Sequence, residues 1–425
     1  MIRSKVNDVI VREYALLING GNNCSIDCHS IPRCAFEWLL MHGVSNGEKQ
    51  RELVKVKRYG KSIALQVVNF VGVLETPCRT RIEILPKIAA EVYEPKIARM
   101  TLLKMLAKVE NLKLEEFKQT QLQLMKQPIY ELLIAYFLKI VSKLLRQGLR
   151  SEYQRVERES SYLKGQLQVS KQIRQRPGRR NLFHVSHDIY NANRAENRLI
   201  HSSLKQVLKW SRTSANQRLA RELLFMFDGI ELSSNYSYDF RLWKNDRSLA
   251  HYRILKPWCE LILSYQSPVA MVGKHDGLSF LFPMEQLFER YVAKQLRNQL
   301  PATLKLKEQV SSHCLTKHKE KDWFRLKPDI VVYNKSQVVT VMDTKWKLLD
   351  ASLDSKKNKY NLSQSDMYQL FAYGDKYLNG QGNLYLIYPQ NASFEEPLNH
   401  FEYKSNLRLY VVPYDLETDS CPIKW

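Results

Sequence analysis

The chain has no long uninterrupted hydrophobic run. Among its 425 residues the most apolar helix candidate, 129–145, is broken by Glu131, Lys139 and Lys143. Its apolar core, Leu132 to Leu138, falls far short of the roughly 20 residues that cross a bilayer, so no membrane association is expected. Met1-Ile2-Arg3-Ser4-Lys5 is followed by no signal-type apolar stretch, which makes the cytoplasm the expected compartment. Acidic residues are few: 43 against 65 lysines and arginines, a net charge of +22. Such a field attracts polyanions, whether nucleic acid, anionic lipid or an acidic protein. Paired Cys-x₂-Cys knuckles are missing as well. Cys24, Cys28, His29 and Cys34 are close in sequence, but their spacing is not that of a structural zinc site. Seven cysteines, an odd number, read as reduced thiols. Nor is there a complete phosphate loop. Tyr59-Gly60-Lys61-Ser62 ends like one, but position 55 is Lys where that motif requires Gly, so the chain is not expected to bind nucleotide itself.

Two short segments carry the chemistry that is present. Leu326-Lys327-Pro328-Asp329-Ile330-Val331-Val332-Tyr333 is followed by a polar turn and by Val338-Val339-Thr340-Val341-Met342-Asp343-Thr344-Lys345. The runs 330–333 and 338–341 are β-branched and apolar, as buried strands are, and the residues between them have turn composition. A hairpin here brings Asp329 beside Met342 or Asp343. Side chains alternate along a strand, so Asp343 and Lys345 share a face and Thr344 points away. If Tyr333 pairs with Val338 in a regular ladder, Asp329 faces Met342 and the acids diverge. One extra residue in the turn, or a bulge, sets Asp329 opposite Asp343. The second register is expected, because two carboxylates on one face hold a hard cation such as Mg²⁺, with phosphate and water completing its shell. Lys345 is then placed to position water or to offset charge on a phosphate. The pattern points to metal-assisted hydrolysis of a phosphodiester.

Pro328-Asp329 followed by Asp343-Thr344-Lys345 resembles the signature of the PD-(D/E)xK nucleases. Downstream, Gln369 and Tyr373 lie one helical turn apart in Ser365-Asp366-Met367-Tyr368-Gln369-Leu370-Phe371-Ala372-Tyr373 and resemble the Q-x-x-x-Y helix of the RecB-like branch. Upstream, Met284-Glu285-Gln286-Leu287-Phe288-Glu289-Arg290-Tyr291-Val292 resembles the first core helix, which commonly supplies a further acid; Glu289 is the first choice and Glu285 the second. Gly72-Val73-Leu74-Glu75-Thr76-Pro77, the stretch from Ile82 to Ile88, Leu163-Lys164-Gly165-Gln166-Leu167 and the stretch from Asn193 to Ile200 resemble the McrC family, nuclease subunits of modification-dependent restriction systems. The resemblance implies Asp329, Asp343 and Glu289 as metal ligands, Mg²⁺ or Mn²⁺ in its place, Lys345 as the catalytic lysine, and Gln369 and Tyr373 in support. It also implies two partners. One is DNA, modified and recognised by the other, an AAA+ GTPase ring whose hydrolysis the N-terminal part stimulates.

A chain of this length implies two or three domains. An α/β architecture is expected: a β-rich, partner-engaging domain over 1–95, a mostly helical region over 96–270 and a nuclease domain over 271–425. Helical spacing is clear over 97–106, 129–149 and 195–210. The densest basic stretch, 174–180, suits a phosphate grip, a contact with an acidic ring protein or a solvated loop equally. Trp243, Trp258 and Tyr265 read as packing aromatics. His313, Cys314 and His318 read as a basic loop near DNA. Asp188, Asn193, Glu196 and Asn197 suggest caps or helix-surface positions. Two other functions compete with the nuclease subunit: a non-catalytic DNA-binding adaptor of a ring ATPase, and a nuclease that acts alone.

Overall fold

The structure, a computed structural model, describes residues 8–21, 24–44, 52–87, 94–110, 127–179, 181–244, 246, 249–264 and 278–423. Met1 to Lys5, Ile88, Arg180 and Tyr265 lie outside the described residues. The chain forms two compact units, Met1–Ile129 with Gln266–Trp425, and Tyr130–Tyr265.

The first unit opens with short strands, β1 (Asp8–Arg12), β2 (Leu16–Asn19), β3 (Cys28–Ile31), β4 (Val54–Tyr59), β5 (Ser62–Val67), β6 (Phe70–Glu75) and β7 (Arg81–Leu85). Helix α1 (Arg33–His42) follows β3. Strands β3-β2-β5-β4 form one sheet, and Gly60-Lys61 is the tight turn between β4 and β5. A second sheet begins with β1-β7-β6. Val9, Val11, Leu17, Leu65 and Ile84 from the two sheets and Phe36 and Leu39 from α1 belong to one buried core cluster. Strand β7 alternates in sequence, yet all five of its residues are buried. Its polar side chains are paired: Arg81 Nε donates to Glu75 at 2.6 Å, and Glu83 accepts from Arg99 at 2.5 and 2.9 Å. Arg99 comes from helix α2 (Pro95–Val109), and pairing of this kind is what makes buried charge tolerable.

The second unit contains the two expected helices, α3 (Ile129–Gln147) and α4 (Ala195–Trp210), followed by α5 (Ser214–Phe225), α6 (Tyr236–Leu242) and α7 (Leu255–Ser264). It also carries a three-stranded sheet. Strands β8 (Glu152–Ser160) and β10 (Phe183–Asn191) pair antiparallel along their full length, and β9 (Gln166–Leu167) borders β10. Gly165 makes that border possible: at φ +77° a Cβ would stand 2.4 Å from Ser186 O. Glu196 and Asn197 are buried, not on a helix surface. Asn197 Nδ2 donates to Arg150 O at 3.0 Å and Ala192 O at 2.8 Å, and its Oδ1 accepts from Tyr252 Oη at 2.9 Å. Glu131, an interruption in the apolar helix pattern, accepts from Ser211 Oγ at 2.8 Å and Asn216 Nδ2 at 2.7 Å. Trp243 and Trp258 are buried.

The chain returns to the first unit at β11 (Ser279–Pro283), which joins the second sheet beside β6. Gly72 opposes Leu281 there; at φ +124° a Cβ would lie 1.8 Å from Phe280 O, so only glycine fits. Helix α8 (Met284–Gln299) follows directly. The last layer is a six-stranded mixed sheet built from β12 (Leu304–Glu308), β15 (Ile330–Asn334), β16 (Gln337–Thr344), β17 (Gly382–Pro389), β18 (Phe401–Lys404) and β19 (Leu407–Tyr414), in the order β12-β15-β16-β17-β19-β18. A two-stranded ribbon, β13 (Cys314–His318) with β14 (Lys321–Arg325), stands apart from it. Strands β16 and β17 are parallel, which requires a crossover. Helix α9 (Gln364–Tyr377) provides it and buries Leu370, Tyr373, Gly374 and Tyr377, the i, i+3, i+4, i+7 stripe of a helix on a core. Val331, Val341, Leu384, Leu386, Leu409 and Val411 meet that stripe. The architecture is mixed α/β. Among the described residues no helix is long and apolar enough to cross a membrane.

Candidate active site

Strands β15 and β16 are joined by a tight turn, with Asn334 opposite Gln337 and Tyr333 opposite Val338. Taken alone, that register would separate the two aspartates. The ladder then shifts: Val332 pairs with Thr340, and Ile330 with Met342. Val339 is the extra residue of a bulge. Beyond it the next position opposite Asp343 is that of Asp329. Both features weighed from the sequence are therefore present together, the short turn and the opposed acids.

Asp343 is 1% exposed and Thr344 is buried with it. Lys345 continues the pairing, its N–H donating to Ile387 O at 2.9 Å. The Lys345 ammonium donates to Asp343 Oδ2. Thr344 does not simply point away. Its N–H and hydroxyl both donate to Asp329 Oδ2, at 2.8 and 2.9 Å. Asp329 lies one residue ahead of β15, off the strict alternation of the pleat, and reaches across to the end of β16.

The electrostatics follow from this crowding. Burial, and then the neighbouring Asp329, hold Asp343 above the usual carboxylate range. Burial, and then Glu289, raise Asp329, against the bonds from Thr344. Burial pulls Lys345 down, but Asp343 outweighs it and the ammonium is raised. Like charges in a desolvated site favour a shared proton or a cation. The Oδ1 atoms of Asp329 and Asp343 have no hydrogen-bond partner among the described residues. Two hard oxygen donors in mutual repulsion fit Mg²⁺ or Mn²⁺, which takes few protein ligands and retains water. Among the described residues no three His, Cys, Asp or Glu side chains are grouped to hold a metal ion.

The two acids of α8 have separate surroundings. Glu289 accepts from Gln309 Nε2 at 2.6 Å, and Gln309 N–H donates to Asp329 O at 2.9 Å. Burial, and after it Asp343, raise Glu289. Glu285, one turn earlier, lines a cleft of about 460 Å³ with Lys345, Lys347, Asp366, Tyr14 and Lys87. Gln369 Nε2 donates to Tyr373 Oη at 2.6 Å, and Tyr373 Oη donates to Lys327 O at 3.1 Å. This pair grips the backbone two residues before Asp329.

Sequence reasoning missed several members of this neighbourhood. Thr344 and Asp366 lie within the segments singled out, and Gln309 lies between two of them. Tyr14, Lys87 and the buried Glu13 come from the first 87 residues, and no local pattern links them to the two aspartates.

The family profile described as McrBC 5-methylcytosine restriction system component matches residues 65–389. No curated protein matches the chain. Among solved structures, a chain of the refined half-complex from the tetradecameric assembly of Thermococcus gammatolerans McrB AAA+ hexamers with bound McrC is similar at 20% identity. That match covers 96% of this chain and 95% of that one, with a TM-score of 0.66. A chain of the cryo-EM structure of the Thermococcus gammatolerans McrBC complex is similar at 21% identity over 69% of this chain and 89% of that one, with a TM-score of 0.51. At these identities the structural likeness is one of fold. The family match spans most of the sequence, from β5 to the end of β17, and takes in Asp329, Asp343, Lys345, Gln369 and Tyr373. The chain belongs to the McrBC family of 5-methylcytosine restriction system components.

Proposed function

We propose that this chain fills the McrC role: a DNA endonuclease subunit with a PD-(D/E)xK core that hydrolyses phosphodiesters with Mg²⁺. The observation that carries the proposal is the bulged β15–β16 pair, which sets the half-buried Asp329 against the buried Asp343 with Lys345 beside them. Asp329 and Asp343 would hold the cation. When bound, it supplies charge that polarises the scissile phosphate and eases attack by water. Thr344 holds Asp329 in place through two hydrogen bonds. Lys345, partly open to the cleft, offers an ammonium to the incoming water or to the non-bridging oxygens of the phosphate, where charge grows in the transition state. Gln309 fixes Asp329 through its backbone and restrains Glu289, whose charge adds to the negative field. The Gln369–Tyr373 pair anchors the approach to Asp329.

The partners proposed are modified DNA and an AAA+ GTPase ring. The ring is the assembly named for the similar Thermococcus gammatolerans chains; its hydrolysis would be stimulated by this subunit, which would work in the cytoplasm. The test is cleavage of methylated duplex by the purified chain with and without its proposed GTPase partner. Cutting that needs Mg²⁺ and the ring supports the proposal. Equal cutting without the ring supports a nuclease that acts alone, and binding without cutting supports an adaptor.

A further inference from the structure

The ribbon β13–β14 has no place in the chemistry just described, yet it leaves the chain next to it. Arg325 ends the ribbon four residues before Asp329. Its base is clamped: Leu326 N–H donates to His313 O at 2.9 Å, Tyr377 Oη reaches Leu326 O at 3.2 Å, and the His313 ring meets Tyr377 edge-on at 4.4 Å. Its tip is a two-residue turn, Lys319-Glu320, with φ of +47° and +61°, the twist that suits a hairpin. All five residues of β14 are exposed, as are four of five in β13. A two-stranded ribbon with no core of its own is marginal in water. This one nevertheless presents Trp323, 48% exposed, and Phe324, 70% exposed. Exposed rings on an unsupported ribbon mark a surface that becomes covered.

Charge selects the occupant. Between Cys314 and Arg325 stand four cations, Lys317, Lys319, Lys321 and Arg325, against two acids, Glu320 and Asp322. Asp322 stands opposite Lys317, which leaves Lys319, Lys321 and Arg325 against Glu320 alone. Cations interleaved with aromatic rings on a protruding β-ribbon suit a polyanion with a groove. The major groove of duplex DNA admits a two-stranded ribbon, with lysine and arginine on the phosphates at its rim.

We infer that the 314–325 ribbon is a DNA-docking arm: it enters the major groove of the duplex beside the scissile phosphate, with Lys319, Lys321 and Arg325 on backbone phosphates and Trp323 and Phe324 against the groove. This rests on the reading of the chain as a DNA nuclease. It makes the arm a positioning element, clamped through Tyr377 to the same helix that anchors the approach to Asp329.

The test measures binding of the full chain to a labelled duplex in EDTA over a salt series, with metal-dependent cleavage by the chain assembled with the GTPase ring in parallel. Two variants are compared with the wild type, the triple Lys319→Ala, Lys321→Ala, Arg325→Ala and the double Trp323→Ala, Phe324→Ala. Far-ultraviolet circular dichroism and the melting temperature establish that both are folded. The triple variant should bind at least about tenfold more weakly and lose about 2 to 3 from the slope of log Kobs against log salt. The double variant, which loses apolar contact with groove-edge groups such as thymine methyls, should also bind about tenfold more weakly, with the slope kept. Wild-type cleavage with wild-type affinity and slope in both variants would overturn the arm and leave the nuclease reading standing. Loss of binding to the GTPase ring at unchanged DNA affinity would overturn it too, by making the ribbon a protein contact. A wild type that binds no duplex would overturn the arm, and one that cuts no duplex even with the GTPase ring and Mg²⁺ would defeat the nuclease reading on which the arm rests.

Discussion

Trp346 Nε1 donates a 2.8 Å hydrogen bond to Oε2 of Glu13. The residue after Lys345 is thereby tied to the segment that follows β1. Oε2 also accepts from Lys87 N–H at 3.1 Å, while Oε1 has no partner among the described residues. Tyr14 and Lys87, which flank this buried acid, line the cleft that Lys345 opens onto. The first 87 residues thus supply part of the wall of the candidate site.

Burial pushes the Glu13 carboxyl up to about 7 from an ordinary 4.5. A raised folded pKa contributes stability that is complete below pH 4.5 and lost as pH rises through about 7. The metal-free protein should therefore be less stable at pH 8 than at pH 5, with this one group contributing at most about 1.4 kcal/mol per pH unit between. Glu13→Gln should make that decline shallower. Urea unfolding across the range checks it, and a slope unchanged by the substitution would contradict the assignment.

The opposed aspartates predict a metal response that needs no turnover to detect. A cation that binds only the folded chain stabilises it by about 2.7 kcal/mol at a hundredfold excess over Kd. At neutral pH, Mg²⁺ or Mn²⁺ should raise the melting temperature of the wild type and leave the Asp329→Asn, Asp343→Asn double variant unmoved. An equal rise in both would place the metal elsewhere.

Lys345→Ala separates holding the metal from using it. Cleavage should fall about 10²- to 10³-fold, the scale of losing one group that stabilises charge in a transition state, while the metal-induced rise in melting temperature persists. Cleavage within a few-fold of wild type would remove Lys345 from the mechanism.

Tyr373→Phe deletes only the hydroxyl that bonds Lys327 O and accepts from Gln369. A net loss of about 1 kcal/mol in unfolding free energy is expected, with cleavage reduced because the approach to Asp329 loosens. An unchanged unfolding midpoint would mean that the bond is not made in solution.

What the sequence made legible were the features with a local pattern. The apolar runs around Val331 and Val341 mark strands, and the stripe from Leu370 to Tyr377 marks a helix. The register was not legible. A bulge at Val339 leaves no trace in Val338-Val339-Thr340-Val341, where any residue could be the extra one, yet it decides which face Asp329 meets. Thr344 was turned away by strict alternation, which fails because Asp329 lies just ahead of its strand. Glu285 and Glu289 stand one turn apart on a single helix, so periodicity could not separate them. Tertiary contact does, giving one to the cleft and the other to Gln309. Glu13 and Lys87 had no local signal, because only the fold brings them to Trp346.

The most direct measurement is cleavage of methylated duplex DNA by Asp343→Asn, assembled with the GTPase ring and supplied with Mg²⁺ and GTP. No cutting is predicted, with ring assembly and GTP hydrolysis as in wild type. Cutting at the wild-type rate would contradict the account at its centre.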